Sequence, residues 1–153
     1  MLKMVSLDSD DISAIDPKQV RVRLSITEPV ELQTKNVKLA LQLEHKEKGQ
    51  SEFQYLLEIT DDSVIEPISS WFSKEPSKHA YEFKLAKLSQ LEFNKYQKNF
   101  ARYGKPERYH WRVYYYLKKR PQQGEGITID MELKFSQDQD YFYLLKNAKV
   151  DTN

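Results

Sequence analysis

Apolar and polar residues alternate along most of this chain, and the alternation is clearest between residues 107 and 135. A period of two is typical of a β-strand that buries one face. Two such runs, 108–118 and 127–135, follow each other across a polar loop that contains Pro121 and Gly124. The pattern therefore predicts a long antiparallel hairpin at the centre of a sheet.

The apolar faces of the two runs set the register expected for this central hairpin, because a slip of one residue would expose a whole face. The expected pairs are Trp111 with Leu133, Arg112 with Glu132, and Tyr114 with Asp130. The sequence thus predicts that Arg112 and Tyr114 are each engaged by a carboxylate of their own sheet.

Five more stretches show the same alternation and bring the number of predicted strands to about seven. They are residues 20–26, 37–43, 53–59, 81–85 and 141–150. The second and third of these lie close together and predict another hairpin over residues 37–59. Its expected pairs are Leu39 with Leu57 and Leu43 with Phe53.

A long irregular connection is predicted over residues 61–79, because the alternation stops there and Pro67 and Pro76 interrupt the stretch. Trp71 and Phe72 form an isolated aromatic pair within it. Such a pair either attaches a loop to the core or stands exposed as an anchor for a partner.

One helix is predicted over residues 90–103. Ser89 and Glu92 have the spacing of a capping box, in which a hydroxyl and a carboxylate each accept a hydrogen bond from a free backbone N–H at the helix start. A stripe of aromatic residues follows at helical spacing, and Gly104 comes after the last turn. The stripe consists of Phe93, Tyr96, Phe100 and Tyr103.

Together these elements predict a mainly β protein, an antiparallel β-sandwich of about seven strands with one inserted helix. The layout resembles that of immunoglobulin-like domains, although the cysteine and tryptophan framework of that family is missing. A curved antiparallel sheet wrapped around helix 90–103 is the alternative. Residues 1–16 are expected to form a flexible or short helical lead-in, and residues 17–153 a single β-rich domain. The core is expected to include Leu41, Leu57, Phe100, Trp111, Val113 and Leu133.

Composition narrows the kinds of site that the chain can hold. The sequence contains no cysteine, which excludes disulfides and thiolate-bound metals, and its 4 glycines form no phosphate-binding motif. The three histidines, His45, His79 and His110, lack the spacing of a metal site, and no hydrolase motif is present. We therefore expect no cofactor, no metal and no enzymatic activity. No apolar run approaches the roughly 20 residues of a membrane-spanning helix.

Charge gives one local signal. The net charge of +1 provides no overall attraction to nucleic acid or membranes. Between residues 95 and 120, however, nine basic residues are opposed by Glu107 alone, and tyrosines are interleaved with them. Basic groups with stacking aromatics are typical of proteins that bind single-stranded nucleic acid, but outward Tyr and Arg are also ordinary cross-strand partners. Binding of nucleic acid or another polyanion through residues 95–120 is therefore the alternative function.

The first expectation is a non-enzymatic binding domain for an unknown protein partner, forming the soluble part of a bacterial envelope protein or lipoprotein. The residues expected at its partner surface are Trp71, Phe72, Arg108, Tyr114, Tyr116, Lys118 and Arg120. The first 16 residues lack the basic start and apolar stretch of an intact signal peptide. An envelope or periplasmic location, slightly favoured over the cytoplasm, predicts a signal peptide upstream of Met1, and a signal ending at a cysteine would mark a lipoprotein.

Overall fold

A computed structural model of the chain describes residues 12–47, 49–65, 77–99, 106–119 and 126–150. Its elements in chain order are a 3-10 turn (Pro17–Gln19), strands β1 (Arg21–Thr27), β2 (Leu32–His45), β3 (Gly49–Ile65) and β4 (Lys78–Leu85), helix α1 (Lys87–Lys98), and strands β5 (Arg108–Leu117), β6 (Thr128–Lys134) and β7 (Phe142–Lys149). No helix in these ranges is long and apolar enough to cross a membrane.

The seven strands found in the described ranges form one antiparallel sheet in the order β5-β2-β3-β4-β1-β6-β7. The sheet curls until it is nearly closed. The prediction of a mainly β, antiparallel protein with about seven strands and one helix is confirmed. The architecture is barrel-like rather than clearly the predicted two-layer sandwich.

Strand β3 joins the two halves of this sheet. Its residues up to Leu56 pair with β2, and its residues from Leu57 onward pair with β4. The register shifts between Ile59 and Asp61, and the hydroxyl of Thr60 donates to the backbone oxygen of Glu82 at 3.2 Å. A bulge of this kind bends a strand and increases its twist. The bend in β3 is therefore one reason that the sheet closes on itself instead of forming two flat layers.

Strands β2 and β3 form the hairpin predicted over residues 37–59, but the register differs by two residues from the expected one. Pairing continues to His45 opposite Gly49, and the φ of 76° at Gly49 suits a tight turn. A shift by two residues keeps the same side chains inward, so the predicted faces are right although the partners are wrong. The observed pairs include Leu39 with Tyr55 and Leu41 with Phe53.

The predicted central hairpin is not formed. Strand β5 pairs with β2, and β6 lies between β1 and β7. Alternation indicates which face of a strand is buried, but several strands in this chain offer a matching apolar face. The apolar pairs made by β5 include Trp111 with Leu41 and Val113 with Leu39. All three pairs predicted across the central hairpin are therefore wrong.

The irregular connection predicted over residues 61–79 is also shorter than expected. Strand β3 continues to Ile65, and β4 begins at Lys78. Residues 58–65 pair through the backbone with β4, yet all of them are exposed, so no apolar alternation marks them as strand. Trp71 and Phe72 lie outside the described residues.

Helix α1 begins three residues earlier than predicted. Its N-cap is Ala86, which provides no side-chain cap, while Ser89 is buried inside the helix. The predicted capping box is therefore wrong. The physical reason is that sheet pairing runs straight into the helix: the backbone N–H of Ala86 donates to the carbonyl of Leu56 at 3.0 Å. Tertiary contact with β3, rather than a local capping sequence, thus positions the helix start.

The core lies inside the curled sheet under one face of α1. Phe93 contacts Tyr55 and Trp111, with ring centroids 5.3 and 6.5 Å apart, and Trp111 contacts Phe135 at 5.3 Å. Tyr96 is buried with Phe93, as the predicted aromatic stripe requires. The predicted core residues Leu41, Leu57, Trp111, Val113 and Leu133 are buried, whereas Phe100 and Tyr103 lie outside the described residues.

Residues from the predicted lead-in also reach this core. Ile12 and Ile15 are buried, and the side-chain amide of Gln97 donates to their backbone oxygens at 2.8 and 2.6 Å. Asp16 then accepts a hydrogen bond from the backbone N–H of Lys18 and caps the 3-10 turn that leads into β1. Residues 12–16 are therefore tied to the helix and the sheet.

Replacing Trp111 with alanine tests the packing of this core. We expect Trp111→Ala to lower the free energy of unfolding by about 3–5 kcal/mol, because it removes a buried aromatic side chain and leaves a cavity. Urea unfolding followed by circular dichroism measures the change. The control Tyr116→Ala alters an exposed aromatic of the same strand and should change stability by about 0.5 kcal/mol or less. Similar losses in both variants would contradict the assignment of Trp111 to the core.

Candidate functional site

The residues expected at the partner surface come together on the outer face of β5. Alternation along this strand directs Trp111 and Val113 inward and Arg108, Tyr114 and Tyr116 outward. Lys118 follows directly after the strand. Trp71, Phe72 and Arg120, the other predicted members, lie outside the described residues.

A single carboxylate, Glu52 of β3, organises the middle of this surface. It accepts hydrogen bonds from the hydroxyl of Tyr114 at 2.7 Å and from the side-chain amides of Gln42 at 2.9 Å and Gln54 at 3.0 Å. The hydrogen bond from Gln54, followed by that from Tyr114, lowers the pKa of Glu52 below its ordinary value, and the nearby charge of Arg112 contributes to the shift. This carboxylate therefore stays ionised at neutral pH.

Glu52 takes the place of the two carboxylates that the sequence predicted for Arg112 and Tyr114. Both residues do face an acid of their own sheet, but it belongs to β3 and not to β6. The sequence offered one usable signal, because Glu52 and Gln42 share an outward position across the β2–β3 hairpin. The sequence did not show that β2 lies beside β5. Only the folded sheet reveals that neighbour.

The rest of the β5 surface is exposed and basic. Tyr116 has 58% of its surface exposed, and Arg108 and Arg112 are exposed as well. Neither arginine has an ion pair within 4.0 Å in the described part of the chain, whereas Lys118 lies 3.4 Å from Glu31. His110 lies 3.6 Å from Glu44. The surface thus combines an accessible tyrosine with two exposed arginines that form no ion pair among the described residues.

The backbone of β5 is accessible too, because the strand lies at an edge of the described sheet. The other edge is β7, and the near closure of the barrel brings the two edges toward each other. We call the space between them the β5–β7 seam. A cavity of about 230 Å³ lies there, lined by Trp111, Arg112, Val113, Met131, Leu144 and Leu145. Consecutive residues of each edge strand line the cavity, which therefore borders the strand edges and not one face alone.

A second polar cluster, which the sequence did not predict, lies on the outer face of β1, β4 and β6. Arg23 forms a two-point ion pair with Glu132, with distances of 3.0 and 2.7 Å, and its guanidinium lies 4.3 Å from the ring centre of Tyr141. The hydroxyl of Tyr141 donates to Glu82 at 2.7 Å. Burial, together with this carboxylate, raises the pKa of Tyr141 well above its ordinary value. The phenol therefore stays protonated at neutral pH, and the cluster acts as a tie between strands.

No group of three or more histidine, aspartate and glutamate side chains in the described residues has the arrangement of a metal site. The one short histidine contact in those ranges joins His79 to Asp62, and the His79 ring stacks on Tyr81 with centroids 4.3 Å apart.

The cluster around Glu82 makes stability sensitive to acid. Burial by itself raises the pKa of Glu82, but hydrogen bonds from Tyr141 and Thr60 and nearby cations outweigh burial, so the pKa is lowered. A carboxylate with a lowered pKa stabilises the folded state above its ordinary pKa of 4.5, and this contribution is lost as the pH falls below that value. We expect Glu82→Gln to reduce the slope of unfolding free energy against pH between about pH 5 and pH 3.

Urea titrations at several pH values measure that slope. Glu47→Gln, at an exposed position in the β2–β3 turn, is the matched control and should leave the slope unchanged. Equal slopes in the parent and in Glu82→Gln would show that Glu82 contributes nothing to acid sensitivity.

Comparison of this chain with models of known protein families, with curated proteins and with solved structures finds no match. The arrangement of side chains and backbone around β5 is therefore the basis for assigning a function.

Proposed function

We propose that this protein is a non-enzymatic interaction domain that binds a partner protein through strand β5. One observation carries the proposal. The predicted partner residues that the structure describes lie on or directly after a strand at the edge of the sheet, where side chains and unpaired backbone groups are presented together. The expectation of a bacterial envelope location stays a prediction.

An edge strand of this kind has a direct use in binding. Its free N–H and C=O groups can pair with an extended segment of another protein, while the side chains on either face supply specificity. Tyr and Arg are enriched in protein interfaces and often carry much of the binding energy. Tyr116, Arg108 and Arg112 fit that role, because they are exposed and lie along one face of the strand.

The chemistry of the described side chains supports binding rather than catalysis. Glu52 accepts three hydrogen bonds, and Glu132 and Glu82 are held by Arg23 and by Tyr141. A general acid or base needs a pKa near the working pH and a free path to its substrate. The lowered pKa values of Glu52 and Glu82 move both carboxylates away from that range.

Nucleic-acid binding is the second candidate, because an exposed tyrosine lies on the same face as two arginines that form no ion pair with the residues the structure describes. The carboxylate of Glu52 lies within this surface and would repel a phosphate. We expect the protein to bind a 20-nucleotide single strand weakly or not at all at about 150 mM salt, since few phosphates could be neutralised. Fluorescence anisotropy of a labelled strand measures this. Micromolar binding that is lost in Arg112→Ala would favour nucleic acid as the partner.

Capture of the partner tests the first proposal. The protein is immobilised and exposed to an extract of the cells that encode it, in parallel with Arg112→Ala/Tyr116→Ala and with Lys87→Ala. The proposal predicts a protein that the parent and the Lys87 control retain and that the double variant retains at least about tenfold less. Lys87 is exposed at the start of α1 and does not belong to β5. Retention that is equal for all three would refute binding through β5.

A further inference from the structure

The β5–β7 seam indicates how a partner binds, and this inference rests on the proposed function. Each edge strand has a single neighbour in the described sheet and thus presents unpaired backbone groups along the seam. We propose that an extended segment of a partner protein, with alternating apolar and acidic residues, inserts into the seam as an eighth strand.

Strand direction fits such an insertion. All six pairings from β5 to β7 are antiparallel, so direction reverses six times and the two edge strands run the same way. Direct pairing of β5 with β7 would be parallel, which is somewhat less stable per residue. One strand of opposite direction pairs antiparallel with both edges. Eight strands is also about the number at which side chains just fill the interior of a barrel.

The cavity in the seam is the reason that we expect apolar residues in the inserted strand. Its lining is mainly hydrophobic, with Val113 from β5, Met131 from β6, and Leu144 and Leu145 from β7. Its volume of about 230 Å³ exceeds the roughly 150 Å³ of a cavity that binds benzene. The seam can therefore bury an aliphatic side chain that points inward from the inserted strand.

Trp111 gives an independent sign that the seam is incomplete. It lines the cavity and is 4% exposed, yet its indole Nε1 is buried without a hydrogen-bond acceptor in the described part of the structure. A buried Trp N–H usually has a partner. A backbone carbonyl of an inserted strand is an acceptor of the right kind.

Charge on the seam selects acidic residues at the outward positions of the segment. Strand β5 carries Arg108 and Arg112 and no acid, and β7 carries Lys146 and Lys149 and no acid. None of these four cations has an ion pair within 4.0 Å among the described residues. The acids of the neighbouring strand β6 are already engaged, Asp130 by Lys78 at 2.8 Å and Glu132 by Arg23. On the β5 side, Glu52 lies near Arg112 and Glu44 lies opposite Arg108, but neither carboxylate forms an ion pair with these arginines in the described residues. The cations of both edge strands therefore still lack an ion-pair partner there.

The geometry of the edges limits the length of the insertion. The pairing of β5 with β2 is regular from Arg108 to Tyr114. Strand β7 has register shifts against β6 and a φ of 51° at Asn147, features that interrupt an edge. We therefore expect pairing along Arg108–Tyr114 of β5 and along Phe142–Leu145 of β7.

A synthetic peptide tests the inference with the intact protein. The probe has ten residues of alternating valine and glutamate, with blocked ends. We expect it to bind with a dissociation constant of about 1 mM or lower by isothermal calorimetry. Two matched peptides serve as controls, one with lysine in place of glutamate and one with N-methyl groups on alternate amides. Both should bind on the order of tenfold more weakly, since the first reverses the charge and the second blocks backbone pairing.

Hydrogen exchange locates the bound peptide. Insertion predicts slower exchange of alternate amides in both Arg108–Tyr114 and Phe142–Leu145. Slowing in β5 alone would overturn the seam inference and leave binding through β5 intact. Slowing in neither strand, or no binding of the glutamate peptide at about 1 mM, would also overturn the inference, while the capture experiment decides the proposed function separately.

Charge reversal on the two sides of the seam gives a test in protein variants. Arg112→Glu/Lys146→Glu should bind the glutamate peptide on the order of tenfold more weakly and should bind the lysine peptide more tightly than the parent does. Lys87→Glu is the control and should behave as the parent. An unchanged preference for glutamate in the double variant would overturn the inference. If the protein dimerises and the glutamate peptide does not reverse the dimerisation, the inference is also overturned, because a second copy would then occupy the seam.

Discussion

Backbone hydrogen bonding along β3 is the constraint on which the rest of this structure depends. The strand pairs with β2 over its first part and with β4 over its second, so one continuous chain segment holds both halves of the sheet. Burying unpaired backbone groups costs free energy, and each pairing therefore fixes where the next strand lies. The bulge near Thr60 bends this shared strand, and the bend directs the sheet toward closure and not into two separate layers.

The curled sheet explains the position of the helix and the aromatic core. Helix α1 begins where the pairing of β4 with β3 ends. Its Phe93 therefore lies inside the barrel beside Tyr55 and Trp111. Trp111 continues the aromatic contacts to Phe135, and Phe135 contacts Phe142 at the start of β7 with centroids 5.7 Å apart. These contacts connect the two sheet edges from the inside.

The outer face of the barrel has two regions that differ in how their charged side chains are paired. Over β1, β4 and β6 two ion pairs, Arg23 with Glu132 and Lys78 with Asp130, join different strands and stabilise their order. At the edges β5 and β7, Arg108, Arg112, Lys146 and Lys149 form no ion pair within 4.0 Å among the described residues. Basic residues on an edge strand discourage pairing between copies of the same protein. The same residues favour an acidic segment, so one feature limits self-association and selects a partner.

The sequence by itself determined where the half-buried strands lie and which faces they bury, because alternation at a period of two directly records the burial of one face. It did not reveal the exposed second part of β3, where no such alternation exists. Trp111, Val113, Leu41, Leu57 and Leu133 were assigned to the core on that basis, and all five are buried. The tertiary structure alone decided the neighbours, because several strands offer interchangeable apolar faces and long-range pairing leaves no local trace. The edge position of β5, the pairing of Arg23 with Glu132, the helix start at Ala86 and the seam all follow from that choice of neighbours.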